Sequence, residues 1–189
     1  MALFDPQRVP PGQRLVSDFP VLHAGSVMHV QRDTWRLTID GLVDASLTLD
    51  WNALLALPGT YQTSDIHCVT GWTKLDTRWK GVRVTRLFED LVLLPEARHV
   101  VVRAHGGWTT NLPLEELLQD EVLLAYEYEG QPISAEHGGP VRLLVPRLYF
   151  WKSAKWLEGI ELTADERLGF WEKRGYHALG DPWLEQRYS

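Results

Sequence analysis

Nowhere does this sequence offer an apolar-periodic run long enough for the crossover helices of a parallel, doubly wound sheet. Its periodicities come in short blocks, helical and strand-like in turn, each cut off by Gly, Pro or a polar turn. From Trp35 the segment Trp-Arg-Leu-Thr-Ile-Asp-Gly alternates apolar and polar residues and ends at the Asp40-Gly41 turn, which predicts a strand; residues 46–49 repeat the pattern briefly. Asp50 is placed to cap a short buried helix over 51–57, stopped by Pro58-Gly59. Further strands are expected over 61–67, 100–102, 122–128, 141–145 and 156–162. Helices are expected over 86–94, with Thr85 as the cap, and over 114–119. These blocks predict an α+β fold with a mixed, largely antiparallel sheet and short helices.

A chain of 189 residues, 44% hydrophobic, is long enough to bury a substantial core, and residues 1–189 are expected to form one domain. Residues 1–20, rich in Pro and Arg without periodicity, read as an extended arm, and residues 166–189 as an aromatic-rich tail on the surface. The net charge of -6 and a pI near 5.6 argue against a general nucleic-acid or anionic-membrane surface but leave room for a focal anion pocket. No apolar run approaches the roughly 20 residues of a membrane span. One cysteine cannot form an intramolecular disulfide, and the start carries neither a signal-peptide core nor a twin-arginine pair, so a cytoplasmic location is expected. Nine tryptophans supply a great deal of flat apolar surface, for core packing and interface anchors or for the walls of a pocket for a large flat cofactor. Trp72, Trp108, Tyr149 and Trp151 are candidates to shape a pocket.

No P-loop, dinucleotide fingerprint, His-Glu-x-x-His helix or paired-Cys zinc pattern is present. Cys68 falls at the end of a strand in Asp65-Ile-His-Cys-Val-Thr-Gly-Trp72, where Gly71 permits a tight reversal and a thiolate would serve as a nucleophile or soft-metal ligand. His67, its neighbour, points to the opposite face if the strand is regular. Two segments, His105-Gly106-Gly107 and His137-Gly138-Gly139, offer backbone amides to an anion or an acyl oxygen. Arg142 interrupts an apolar strand, and Lys152-Ser153-Ala154-Lys155 adds two ammonium groups and a hydroxyl, so that together they suit a phosphate. The residues alone leave three readings open: a metal-cofactor enzyme, an acyl hydrolase with a His-Gly-Gly oxyanion hole, and a non-catalytic electron carrier or binding module.

The Cys68 motif, then His137-Gly-Gly-Pro-Val-Arg142-Leu-Leu-Val-Pro146, then Lys152-Ser-Ala-Lys155-Trp-Leu, in that order, resemble the oxidoreductase molybdopterin-binding domain family, which includes sulfite oxidase and the catalytic subunit of the bacterial periplasmic methionine sulfoxide reductase. The resemblance runs from about Phe19 to Leu162 and implies a sulfite oxidase catalytic-domain fold with a molybdenum-molybdopterin cofactor. It implies Cys68 as the metal ligand and catalytic residue, and His137, Arg142, Ser153, Ala154 and Lys155 as the cradle for the pterin and its phosphate. His23 and Ala24 match an amino-terminal pterin contact, and a further contact falls at Ala104 or His105. The implied activity is two-electron oxo transfer on a small molecule, with electrons exchanged with a separate electron-transfer protein. Sulfite oxidases place an arginine where Leu22 stands, and none follows Cys68, so sulfite is not the expected substrate. The export signal of the sulfoxide reductase branch is missing, and the heme and dimerisation domains of animal sulfite oxidase have no room here. Gly169-Phe-Trp-Glu and Gly175-Tyr-His-Ala-Leu-Gly-Asp-Pro-Trp183 look like features of small cytoplasmic members.

Overall fold

The computed structural model describes residues 6–189. Its first strand, β1 (Arg14–Leu15), is a brief pairing within the amino-terminal arm. β2 (Arg36–Gly41) keeps the expected alternation, with Leu37 and Ile39 fully buried between more exposed neighbours. β3 (Leu47–Asp50) pairs back antiparallel. α1 (Trp51–Ala56) begins where the Asp50 carboxylate accepts a 2.8 Å hydrogen bond from the Ala53 amide, the cap read from the sequence.

β4 (Thr60–Cys68) runs up to the cysteine, and β5 (Trp72–Arg83) returns beside it. Period-two reading leaves residues 72–83 unassigned for a physical reason: the β4–β5 register shifts between Ser64 and Ile66, and Asp76 opposite takes a positive φ of 56°. A bulge changes the phase of the alternation inside one strand, and polar residues, Thr73 and Thr77, then take buried positions. α2 (Val84–Phe88) is much shorter than the helix expected over 86–94, and it starts after Arg83 without a side-chain cap, so Thr85 is not the cap. Beyond it the chain is captured by the Val43–Leu93 bridge and by the Leu94 amide bonding the Leu42 carbonyl at 3.0 Å. Tertiary pairing there outweighs a helix propensity of a few tenths of a kcal/mol per residue. The remaining elements are β6 (His99–Ala104), β7 (Trp108–Pro113), α3 (Leu114–Leu117), β8 (Leu123–Tyr128), β9 (Gln131–Pro132), β10 (Arg142–Leu144) and β11 (Leu157–Thr163).

The strands form two sheets. One has the order β1-β5-β8-β10, with β4 added to β5 and β9 to β8; the other has the order β3-β2-β11-β6-β7. Among the described residues β1–β5 and β2–β11 are parallel and the other pairings antiparallel, which is the mixed α+β arrangement expected. The larger core lies between the sheets: Leu37, Val102 and Ile160 from the second meet Val82, Leu124 and Leu143 from the first. Successive residues of β8 and β10 go to opposite sides, so Leu123, Ala125 and Leu144 join a second core on the far face of the first sheet, with Ile66, Cys68 and Phe150.

That far face needs a cover, and the two chain ends provide it. Residues 1–5 of the expected arm lie outside the described residues. From there on the Arg8 guanidinium bonds both carboxylate oxygens of Asp65 (2.6 and 2.9 Å), the Val16 amide bonds the Thr73 carbonyl, and Phe19 packs into the second core. The tail returns to the same region, where Arg187 donates to the Val69 carbonyl at 2.5 Å. No helix among the described residues is long and apolar enough to cross a membrane, which says nothing about barrels.

Candidate functional site

Cys68 ends β4 at a tight turn, closed by the Gly71 amide on the Cys68 carbonyl at 2.9 Å with Gly71 at φ 90°. Its sulfur lies 3.2 Å from the Thr70 hydroxyl and is nearly buried. Burial pushes the thiol above its ordinary pKa, opposed by hydrogen bonding to Thr70 and by the charge of Arg187. His67 faces the other way, as strand geometry requires: its Nδ1 is 2.9 Å from the Thr73 hydroxyl, and burial holds it near a pKa of 4, neutral at pH 7.

A cavity of about 300 Å3 opens over the sulfur. Its lining includes His23, Ala24, Cys68, Ala104, Arg142, Ser153, Ala154 and Lys155, all expected from sequence and drawn from segments far apart in the chain. Two expected residues stay outside the lining. His105 starts the β6–β7 turn with Nδ1 3.1 Å from Glu158, which leaves Ala104, at the end of β6, as the residue of that pair facing the cavity. His137 stacks on Phe19 (centroids 3.9 Å apart) and turns its carbonyl toward Arg142, so its contact with the site runs through its backbone. Burial, then the charges of Arg142 and Lys155, push its pKa down to about 4.

Among the described residues the cations of the site, Arg142 and Lys155, have no acid partner. Arg142 is 1% exposed; its guanidinium donates to the carbonyls of His137 and Ser153, both at 2.7 Å, and lies 4.3 Å over the Phe150 ring. The Lys155 ammonium donates to the carbonyls of Leu22 (2.9 Å) and Glu136 (2.6 Å), and burial followed by repulsion from Arg142 lowers its pKa to about 7. Two neighbouring, desolvated cations satisfied by carbonyls alone are poised to gain from an anion. Gly138, at φ 99°, makes room for the Lys155 stem: a Cβ there would sit 2.7 Å from the Lys155 side chain.

Lys152 corrects the sequence reading, since its ammonium does not join this cradle. It is fully buried and bonds Glu172 at 2.6 Å, with further bonds to the Asn111 and Ala178 carbonyls. Nor do the His-Gly-Gly segments build an oxyanion hole. The Gly138 and Gly139 amides bond the Ala135 and Ser134 carbonyls, and Gly106 and Gly107 are exposed at the β6–β7 turn outside the cavity.

Of the four candidate aromatics, Trp108 and Trp151 line the cavity, whereas Trp72 and Tyr149 are spent in the second core. Trp171 and Tyr176 also line it and were not foreseen as site residues. Their flanking glycines in Gly169-Phe-Trp and Gly175-Tyr were the available signal, but a local pattern does not say which surface a tail folds onto.

Among the described residues no three His, Cys, Asp or Glu side chains converge as a metal cage. A metal at Cys68 therefore needs ligands from a bound group, and an anion-seeking pair of cations with flat aromatic walls fits a phosphorylated pterin carrying sulfur donors. The model of the oxidoreductase molybdopterin binding domain matches residues 24–171. The uncharacterized oxidoreductase YuiH of Bacillus subtilis is 48% identical over 183 residues, covering 96% of this chain and 92% of its own. Sulfite oxidase of Arabidopsis thaliana is 27% identical over 186 residues, 79% of this chain and 47% of its own. The crystal structure of the sulfane dehydrogenase SoxCD from Paracoccus pantotrophus superposes with a TM-score of 0.69 at 22% identity, covering 81% of this chain and 43% of that one, which shows a shared fold. This chain thus spans less than half of the last two proteins. With the match covering the cavity from Ala24 to Trp171, the chain belongs to the oxidoreductase molybdopterin-binding domain family, whose cofactor is molybdenum-molybdopterin.

Proposed function

We propose that this protein carries out two-electron oxo transfer on a small molecule in the cytoplasm, exchanging electrons with a separate redox protein, and that Cys68 is its ligand to molybdenum. The observation that carries the reading is a cavity lined both by the nearly buried Cys68 thiol and by Arg142 and Lys155, which among the described residues have no acid partner. The bound group supplies the oxygen-atom and electron chemistry; the chain's residues bind, orient and desolvate.

Cys68 would hold the metal as a thiolate, with the Thr70 hydroxyl, 3.2 Å from the sulfur, placed to donate to it. Arg142 and Lys155 exchange carbonyl partners for a phosphate, a charge-assisted contact. Ser153 is fixed for this task, its hydroxyl accepting from the Val145 amide at 2.9 Å while its carbonyl holds Arg142. Ala24, Ala104 and Ala154 keep the walls thin where a planar ring must approach, and the surrounding aromatics exclude water. The free cysteine accords with the reducing cytoplasm.

The test is molybdenum and pterin analysis of protein made in a host that supplies the cofactor. Wild type is expected to hold both near one per chain, Cys68→Ser to keep pterin while losing metal, and Lys155→Met to lose both in parallel on gel filtration. A well-folded wild type that holds neither would overturn the reading.

A further inference from the structure

The turn that carries Cys68 is held from outside the cavity as well. The Cys68 carbonyl accepts a hydrogen bond from Gln13 Nε2 at 3.1 Å, and the next carbonyl, that of Val69, accepts from Arg187 Nη1 at 2.5 Å. Neither Gln13 nor Arg187 belongs to the cavity lining, so both hold the turn without touching what the cavity binds. Gln13 comes from the amino-terminal arm and Arg187 from the end of the tail, beyond residue 171, where the family match stops.

The tail's own turns put Arg187 there. Glu185 takes a positive φ of 51°, the Arg187 amide bonds the Glu185 carbonyl at 2.7 Å, and the Arg187 carbonyl accepts from the His177 amide at 3.2 Å. The guanidinium then reaches three carbonyls, that of Val69 and those of Pro11 and Gly12 at 3.4 Å each, and it lies 5.3 Å over the ring of the buried Tyr149. Among the described residues its hydrogen bonds go to carbonyls alone, which solvate a charge without cancelling it. Glu185 approaches the same spot: its Oε1 and Arg187 Nη2 would each lie 3.0 Å from a Cβ on Gly12. A guanidinium is always charged, and its field extends to the sulfur, where it favours the Cys68 thiolate.

We infer that Arg187 is a positioning residue that acts through Cys68 to set the reduction potential of the metal centre: its fixed positive charge, held behind the cysteine turn, stabilises the more electron-rich state and raises the potential. Net charge and hydrogen bonding around a thiolate-bound metal are general levers on its potential. The inference rests on the reading of Cys68 as the metal ligand.

The experiment uses the full-length holoenzyme, with molybdenum and pterin quantified first. A wild type that holds no metal removes the cofactor reading, and the inference with it, before any variant is compared. Wild type, Arg187→Lys, Arg187→Gln and Glu185→Gln are titrated with dithionite and dye mediators at constant pH and low salt, while the molybdenum(V) electron paramagnetic resonance signal is followed. Arg187→Gln keeps a donor for the Val69 carbonyl but no charge, and its midpoint potential should fall, by about 59 mV if the one-electron equilibrium shifts tenfold. Arg187→Lys, which keeps the charge, should stay nearer wild type. Glu185→Gln, at an exposed position, should move the potential upward. The g-values should be the same throughout, since the ligands do not change. Equal potentials for metal-loaded wild type and Arg187→Gln would overturn the inference, as would equal falls in Arg187→Lys and Arg187→Gln, the mark of a clamp with no electrostatic role. If Arg187→Gln loads no metal, Glu185→Gln decides alone, and an unchanged or lower potential there overturns the inference.

Discussion

His137 shows what a single residue contributes besides chemistry. Its ring is clamped on Phe19 with Nδ1 buried and unpartnered; burial, then the charges of Arg142 and Lys155, opposed by that of Glu136, lower its pKa from 6.5 to about 4. Between those values the unfolded chain takes up a proton that the folded one refuses. Stability is therefore fully present above about pH 6.5 and is lost as pH drops toward 4. His137→Phe, which keeps an aromatic ring against Phe19, should flatten this slope: between pH 7 and 5 its urea midpoint should fall less than that of wild type. The same residue marks the limit of reading a site from a motif. Its position beside the cavity was legible, but that its backbone carbonyl, and not its ring, reaches Arg142 depended on how the 3-10 turn Ala135–His137 packs.

At the scale of elements, the legible parts are those whose burial follows one period from end to end. β2 alternates because one face meets the core, and β8 reads as a continuous apolar run because each face meets a different core. α1 was legible through its cap. Asp50→Ala should cost about 1 kcal/mol, since it strands the Ala53 amide in the first turn of a helix too short to stand alone, and chemical denaturation of the variant measures it directly. β5 and α2 were missed or misread where a bulge or a bridge between distant residues of the chain overrode the local pattern.

At the scale of the whole molecule, the buried pair Lys152–Glu172 ties the tail to the β7 strand and to the turn that carries Ser153 and Lys155. Both side chains are wholly buried, so removing one charge strands the other. Glu172→Ala is expected to cost about 3–5 kcal/mol. Lys152→Met combined with Glu172→Leu should recover a large part of that, and urea unfolding of the single and double variants separates the two terms. The sequence by itself determined the α+β class and the short-element architecture, because periodicity is a local property, and its three ordered motifs carried the family resemblance that implied the cofactor and singled out Cys68, Arg142 and Lys155. Only the tertiary structure decided that Lys152 leaves the cradle, that Ala104 and not His105 faces the cavity, and that Tyr176 arrives beside Cys68. Those outcomes depend on which buried groups find partners across more than a hundred residues of chain in the case of Cys68 and Tyr176, and no local pattern encodes such a pairing.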